Sequence, residues 1–359
     1  MGIPKTMKAA VLVDYGDLRV TDMPVPEFGP GEVLVQVDSV SICGSDPGVI
    51  SRGWEGRTPL GEFIPGHEFA GVVAATAPDV TRLQVGDRVS AEPHRGCGRC
   101  ENCLRGFYTT CLNYGKPEMG HRHLGFVSNG AYAEYAACPE PCLHKLPDNV
   151  SFEEGAVLTI VGTSIYGYER MGWVRPGETV VVTGPGALGI VSAQIAKVTG
   201  AGRVIMTGTR EERLAIGREL GVDITLNVRE VDPVERIMEL TGGVGADMVV
   251  ECTGVPAAAA QAFDMVRKNG RISFNGVYHD LVAVPLNKVA QWNLLITGPK
   301  AEGGWAMERA IPLLADGRLN LTPLITHKFS LDDVHEALDT FIERKGGAIK
   351  VIIKPGGVS

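Results

Sequence analysis

Apolar residues between position 9 and about position 160 come in short runs, at 9–13, 33–37, 70–74, 88–91 and 133–137, broken by glycine and proline. Runs of that length and punctuation predict strands, and together they predict an antiparallel, partly barrel-like β domain that carries its chemistry on loops. From about residue 161 the rhythm changes. Apolar runs at 180–182, 204–206, 248–251 and 271–274 alternate with helical stretches at 187–198 and 211–220, and such alternation builds a parallel, doubly wound sheet. Beyond about residue 300 the alternation stops, leaving stretches at 307–315, 331–341 and 349–353. A chain of 359 residues exceeds what one core usually holds, so two domains are expected. The nearest approach to a long apolar run, 157–166, is far too short to span a bilayer, and no membrane partner is expected.

The turn after the 180–182 run reads Gly184-Pro185-Gly186-Ala187-Leu188-Gly189. A G-x-G-x-x-G between strand and helix is the dinucleotide fingerprint: Gly186 lets the backbone approach a pyrophosphate, and Gly189 permits close packing of helix on strand. About 20 residues further on, an NAD-selective fold places an acidic residue on the ribose hydroxyls. Here the run 203–207 leads into Gly208-Thr209-Arg210, which contains no carboxylate. Gly208 leaves room for a 2′-phosphate, Thr209 offers a hydroxyl and Arg210 a charge-assisted, two-pronged contact. NADP is therefore expected over NAD, with Glu211 and Glu212 weakening the local positive field.

Composition narrows the classes. At 44% hydrophobic and 21% charged the chain is ordinary for an α/β protein, and a net charge of -8 argues against nucleic acid or anionic membrane as a partner. Four of the eight cysteines, Cys97, Cys100, Cys103 and Cys111, form a C-x2-C-x2-C-x7-C run. Four thiolates fill a tetrahedral zinc site and hold a loop in shape. Bacterial ferredoxin runs open in the same way but continue with x3-C-P, whereas here seven residues intervene and Leu112 follows. Thiolate ligands imply a reducing, cytoplasmic setting, and Cys138 and Cys142 are read as inert thiols. Cys43 with Gly66-His67-Glu68 offers a second set: thiolate, imidazole and carboxylate, which leave one zinc position open to chemistry.

Cys43-Gly44-Ser45-Asp46, Gly66-His67-Glu68, the cysteine quartet and the glycine turn stand in a familiar order. From Lys8-Ala9-Ala10-Val11 to Lys350-Val351-Ile352-Ile353 the chain resembles the zinc-dependent medium-chain dehydrogenase/reductases, the alcohol, polyol and threonine dehydrogenases. The resemblance implies a GroES-like catalytic domain at 1–160, a Rossmann coenzyme domain at 161–299 and a return to the catalytic domain at 300–359. It implies two zinc ions per chain, one structural on the quartet and one catalytic on Cys43, His67 and Glu68. The thiolate position of the vertebrate-type enzymes falls near Thr159, which is no ligand; Glu153 and Glu154 stay open as carboxylates near the metal. Asp46 is expected behind His67, accepting its spare N–H. Ser45 is expected to start the proton relay, although Pro47-Gly48 stand where many relatives carry a relaying histidine.

The same resemblance puts His94 at the substrate and Cys252, within Glu251-Cys252-Thr253-Gly254, near the nicotinamide. It matches Gly208-Thr209-Arg210 with the Gly-Ser-Arg of NADP-dependent secondary alcohol dehydrogenases. Trp54, Tyr278 and Trp292 are aromatic candidates for the pocket wall, with core packing as the alternative. The expected activity is hydride transfer between NADP(H) and a secondary alcohol or polyol and its carbonyl compound, in a homodimer or homotetramer. The alternatives are an L-threonine-type dehydrogenase and a non-catalytic, dinucleotide-binding structural or regulatory protein.

Overall fold

The structure is a computed structural model describing residues 2–53 and 57–358; Trp54 lies outside the described residues. Two compact units are present, Met1–Thr159 with Leu321–Ser359, and Ile160–Asn320. In chain order the first unit opens with β1 (Thr6–Asp14), β2 (Asp17–Pro24), β3 (Glu32–Ser41), α1 (Asp46–Arg52), β4 (Glu68–Thr76), β5 (Arg88–Ala91) and β6 (His94–Arg95). It continues through α2 (Glu101–Leu104), β7 (Arg122–His123), β8 (Tyr135–Pro139), β9 (Leu143–Lys145) and the start of α3 (Phe152–Arg170). The second unit holds β10 (Thr179–Thr183), α4 (Ala187–Val198), β11 (Arg203–Gly208), α5 (Glu211–Glu219), β12 (Ile224–Asn227) and α6 (Pro233–Leu240). After these come β13 (Ala246–Glu251), α7 (Pro256–Met265), β14 (Val266–Phe274), α8 (Leu286–Gln291), β15 (Leu295–Thr297) and α9 (Ala306–Ala315). The chain then returns to the first unit with β16 (Ile325–Ser330), α10 (Val334–Glu343) and β17 (Lys350–Lys354).

Among the described residues the main sheet of the first unit has seven strands, ordered β16-β17-β3-β4-β5-β9, with β8 also paired to β3. Strand β3 is central. One edge takes β4 along most of its length, and the other is shared by β8 near its start and β17 near its end. Being covered on both faces, β3 buries consecutive residues, Val33, Leu34 and Val35, instead of alternating. All pairings are antiparallel as expected except β16 with β17, which is parallel. Strand β8 begins two residues later than the apolar run suggests, and Ala133 instead makes an isolated bridge to Ala9. A hairpin of β1 and β2 covers a further face; β2, Asp-Leu-Arg-Val-Thr-Asp-Met-Pro, carries too many polar residues to be seen as a strand from its pattern.

The second unit is an all-parallel sheet in the order β12-β11-β10-β13-β14-β15. Its first three strands run outward on one side and the next three on the other, so the order reverses between β10 and β13, where such sheets bind ligands at the carboxyl ends of the strands. Strands β10 and β13 contain Val180-Val181-Val182 and Met248-Val249-Val250, all buried, as a sheet covered on both faces demands. Helix α6 shows how local chemistry sets a boundary: the Asp232 carboxylate accepts from the N–H groups of Val234 and Glu235, and Pro233 occupies the first turn.

One expectation needs correction. The return to the first unit falls at Leu321, not at residue 300, because α9 packs within the second unit. A side chain at Gly162 of α3 would collide with Glu302 and Met307, and Arg309 pairs with Glu169 at 2.7 Å while lying over the Trp173 ring.

Candidate metal centre and coenzyme loop

Sheet register gathers the first site. Ser41 at the end of β3 faces Glu68 of β4 on one side and Ile352 of β17 on the other. Two residues beyond Ser41 the chain reaches Cys43, and a turn closed by the Asp46 N–H to the Cys43 carbonyl (3.1 Å) leads into α1. On the β4 side, Gly66 adopts φ +87°, a conformation that side chains resist, and turns His67 and Glu68 inward. The outcome is that Cys Sγ, a His67 nitrogen and a Glu68 oxygen lie within 4.8 Å of one another, although Cys43 and His67 are far apart in sequence.

Around these atoms the polar groups are buried and sorted. Asp46, fully buried, accepts the Cys43 N–H at 2.8 Å and the Tyr132 O–H at 2.8 Å on Oδ2, and its Oδ1 lies 3.2 Å from Nδ1 of His67. The two atoms face each other as an ion-pair contact with no hydrogen bond formed, and an acceptor placed there suits a ring that turns Nε2 to a metal. Burial pulls the His67 pKa down, but the negative charges of Asp46 and Cys43 outweigh it and hold it well above the usual value. Glu68 is tied to Lys350, whose ammonium is buried with it and also reaches the Ile42 carbonyl at 3.4 Å. Burial works against the Lys350 charge, and Glu68 with Cys43 overcomes it, so its pKa is raised.

These observations test the fit for zinc. Cys43 as thiolate, Glu68 and Asp46 would supply three negative charges against the ammonium of Lys350 and the proton that His67 holds, and a dication taking the place of that proton balances the set. The donor set is of the kind zinc accepts, with His67 correctly oriented, and the residues fit the ion. Glu153 and Glu154, left open by sequence, have other partners: Glu153 takes Lys328 and Lys354, and Glu154 takes Ser151 and Thr322. Ser45 caps α1 through its carbonyl, which accepts the Val49 N–H, while its side chain makes no capping bond.

The quartet forms a second cluster. Cys97 and Cys103 sulfurs are 4.0 Å apart, and Cys100 and Cys111 sulfurs 3.9 Å. A tetrahedron with Zn–S of 2.3 Å has edges of about 3.8 Å, so the spacing suits an ion and is far too long for disulfides. Backbone N–H groups of Cys97, Cys100, Leu112 and Asn113 point at the sulfurs at 3.4 Å, and the Asn113 amide donates to Cys97 at 3.2 Å. Hydrogen bonds from the Arg99 backbone and the Asn113 side chain bring Cys97 down to about 6, and burial pushes Cys103 up to about 12. Cys100 is likewise lowered, by backbone N–H groups, and Cys111 raised by burial, so the four thiols differ in how readily they ionise.

Between the clusters runs a column of rings that sequence reading missed apart from His94. His94 stacks on His123 (3.7 Å), His123 on Phe126 (3.9 Å), and Phe126 meets His67 at 4.7 Å. Tyr114, three residues past Cys111, bonds His123 through its hydroxyl, and Tyr108 and His144 share the Glu92 carboxylate. His94 is thus buried two rings from His67 and outside the candidate donor set. Only the pairing of β6 with β7 brings His94 opposite His123, which no spacing in the sequence reveals.

In the second unit the glycine loop joins β10 to α4. Gly184 has φ +92°, and a side chain at Gly189 would sit 1.9 Å from the Gly184 carbonyl, so both must be glycine. Nothing lies within 4 Å of the side-chain direction of Gly186, and no side chain caps the helix that follows it through Ala187 and Leu188. Gly208 is different from its sequence reading. A side chain there would meet Pro185 Cδ at 2.4 Å, so glycine is required by the loop packed over it, whatever the coenzyme. Thr209 is exposed and Arg210 half-buried at the start of α5, and Glu211 is turned away to Arg218. Cys252 lies 3.7 Å from the Ser192 hydroxyl, and burial pushes its thiol far up. Beside it the buried Glu251 carboxylate gathers Thr183, Thr253, Gly254 and Tyr278, which makes Tyr278 a brace for the loop after β13. Trp292 is covered by the Lys288 ammonium at 4.0 Å.

A six-stranded doubly wound sheet with this glycine loop, together with a β unit holding two zinc-type clusters, defines the class of zinc-dependent oxidoreductases. Residues 29–148 match the alcohol dehydrogenase GroES-like domain and residues 187–315 the zinc-binding dehydrogenase domain. The chain is 32% identical over 98% of both lengths to sorbitol dehydrogenase of Bacillus subtilis, and 32% identical to L-threonine 3-dehydrogenase of Pyrococcus furiosus over 95% of this chain and 96% of that protein. It superposes with a TM-score of 0.89, at 26% identity over 98% of this chain and 100% of the other, on a structure from Sinorhizobium meliloti described as a zinc-binding dehydrogenase bound to NADP. The chain belongs to the zinc-dependent medium-chain dehydrogenase/reductase family. No helix among the described residues is long and apolar enough to cross a membrane.

Proposed function

We propose that this protein interconverts a secondary alcohol or polyol with its carbonyl compound, using NADP and a zinc ion held by Cys43, His67 and Glu68, with a second zinc on the quartet. The observation that carries the reading is the thiol–imidazole–carboxylate set, with His67 and Glu68 buried, Cys43 partly so, and Asp46 behind His67. When bound, the zinc supplies Lewis-acid polarisation of the substrate oxygen and the coenzyme carries the hydride. Ser45, next to the ligand Cys43 and with its hydroxyl unused in capping, takes the alcohol proton. His94 acts from the ring column, and Cys252 stands beside the glycine loop. Lys350 pairs with Glu68 and holds its carboxylate in place. The free thiols suit a reducing cytoplasm. A homodimer or homotetramer is the proposed assembly, supported by exposed Leu281, Leu286 and Leu295 around the open edge strand β15.

Following nicotinamide absorbance with secondary alcohols, polyols and L-threonine tests the reading. Turnover of the alcohols supports it. Turnover of threonine alone favours the amino-acid dehydrogenase, a reading that the equal identity to the Pyrococcus enzyme supports. Coenzyme binding without any turnover returns the protein to the structural class.

Ser45→Ala is expected to lower kcat by ~10²–10⁴-fold while zinc content and coenzyme binding stay the same, the usual contribution of a positioned proton-transfer group. Single-turnover measurement checks it, and a wild-type chemical step would move the relay elsewhere.

The NADP preference rests on Thr209 and Arg210, not on the likeness to an NADP-bound structure. With the packing role of Gly208, Arg210 is the residue to change. Arg210→Ala is expected to lower kcat/KM with NADP by about 10- to 100-fold, the loss of a charged hydrogen bond, and to leave NAD nearly unchanged. Equal losses with both coenzymes, or a wild type that favours NAD, would remove the assignment.

A further inference from the structure

Tyr132 is fully buried and touches the metal centre from two directions. Its backbone N–H donates to the Pro65 carbonyl at 3.0 Å, its carbonyl accepts from Ala10 at 2.8 Å, and its ring lies so close over Gly66 that a side chain there would be 2.5 Å from Cδ1. The phenol thus sits against the backbone that presents His67. Its hydroxyl crosses to the other end of the site and donates to Oδ2 of Asp46 at 2.8 Å.

We propose that Tyr132 is a positioning residue for the metal, acting through Asp46 on His67; the inference rests on the reading of Cys43, His67 and Glu68 as the zinc site. Asp46 has two oxygens and three neighbours. Oδ2 is claimed by the Cys43 N–H and the Tyr132 O–H, which fixes the plane of the carboxylate and turns Oδ1 toward Nδ1 of His67, 3.2 Å away. A buried carboxylate held by one backbone N–H alone is free to rotate, and Oδ1 then loses its fixed place opposite Nδ1. The hydroxyl therefore selects the tautomer and ring angle that leave Nε2 for the ion. A tyrosine that merely fills the core needs a partner for its hydroxyl, but it has no reason to influence metal affinity.

Tyr132→Phe removes the hydroxyl and keeps the ring over Gly66. Zinc affinity of the two sites is measured on the full chain by competition with a chromophoric chelator, and the catalytic site is also filled with cobalt(II) and its visible spectrum recorded. The expected result is a catalytic-site Kd raised about tenfold, the scale for outer-sphere partners of a ligand, with a changed cobalt spectrum and an unaltered quartet ion. Because the effect passes through Asp46, adding Tyr132→Phe to Asp46→Asn is expected to cost little beyond Asp46→Asn alone. Unchanged affinity and spectrum in Tyr132→Phe, or a fully additive loss in the double variant, overturns the inference. A wild type that binds only the quartet ion overturns the metal-site reading and this inference together.

Discussion

Cys43→Ala is expected to lower zinc content from two ions per chain to one and turnover by about 10²–10⁴-fold, while the folded structure persists. The size follows from losing a Lewis acid that contributes several kcal/mol to charge stabilisation, at about 1.4 kcal/mol per tenfold in rate. Persistence of the fold follows from where the ligands stand. Cys43 and Glu68 adjoin strands β3 and β4, which pair from Val33 to Ser41 whether or not an ion is present. The quartet is another matter: it sits in a loop whose helices are four residues or shorter, so its ion organises the lobe, and Cys103→Ala is expected to loosen it. Elemental analysis with circular dichroism separates the two. One zinc in the wild type, or unchanged metal content in Cys43→Ala, would end the two-site reading. The raised pKa of His67 adds a sign. Filling Nε2 with metal displaces a proton, so affinity of the catalytic site falls as pH falls, and it does so in a range set higher than for an ordinary histidine.

Lys350→Met is expected to destabilise the first unit by about 3–5 kcal/mol, the cost of leaving a buried carboxylate without its partner. Glu68 and Lys350 are 2% and 4% exposed at the side chain, so water offers little compensation. The loss should be larger in zinc-free protein, where only the proton on His67 offers Glu68 a nearby positive charge, and smaller in the loaded enzyme. Adding Glu68→Gln to Lys350→Met removes the orphaned charge and should recover much of the stability, at the expense of zinc binding. Denaturant unfolding with and without chelator reads both effects. A Lys350→Met protein as stable as wild type in zinc-free buffer would show that the pair is not the anchor of Glu68.

The motifs that local spacing can carry were legible. Four cysteines within one short loop are expected to converge, and the structure brings their sulfurs together as one cluster. The glycine turn announces itself because two of its positions tolerate no side chain, one for its positive φ and one for a carbonyl 1.9 Å away. Strand and helix alternation from 180 onward gave the doubly wound sheet, since residues buried on both faces leave a strong apolar record. The place of Asp46 came from the family resemblance, and the structure sets its Oδ1 3.2 Å from Nδ1 of His67.

Lys350 and Tyr132 carry no local sign of their roles. They are 282 and 86 residues from their partners Glu68 and Asp46, and nothing in their neighbours marks them as polar groups of a site. Gly208 misled for a similar reason: an absent side chain reads as room for a ligand, whereas Pro185 fills that room.

The amino-acid sequence by itself therefore determined the donor types, the two-unit architecture and the coenzyme turn, all of which depend on residues within one element or one loop. Tertiary structure decided which charges share the metal centre, which tyrosine braces its aspartate, that His94 belongs to a ring column beside His67, and that α9 stays with the second unit. The physical reason is sheet register. Ser41 facing both Glu68 and Ile352 places three distant segments side by side, and a shift of one residue in either pairing would turn Glu68 or Lys350 to the opposite face.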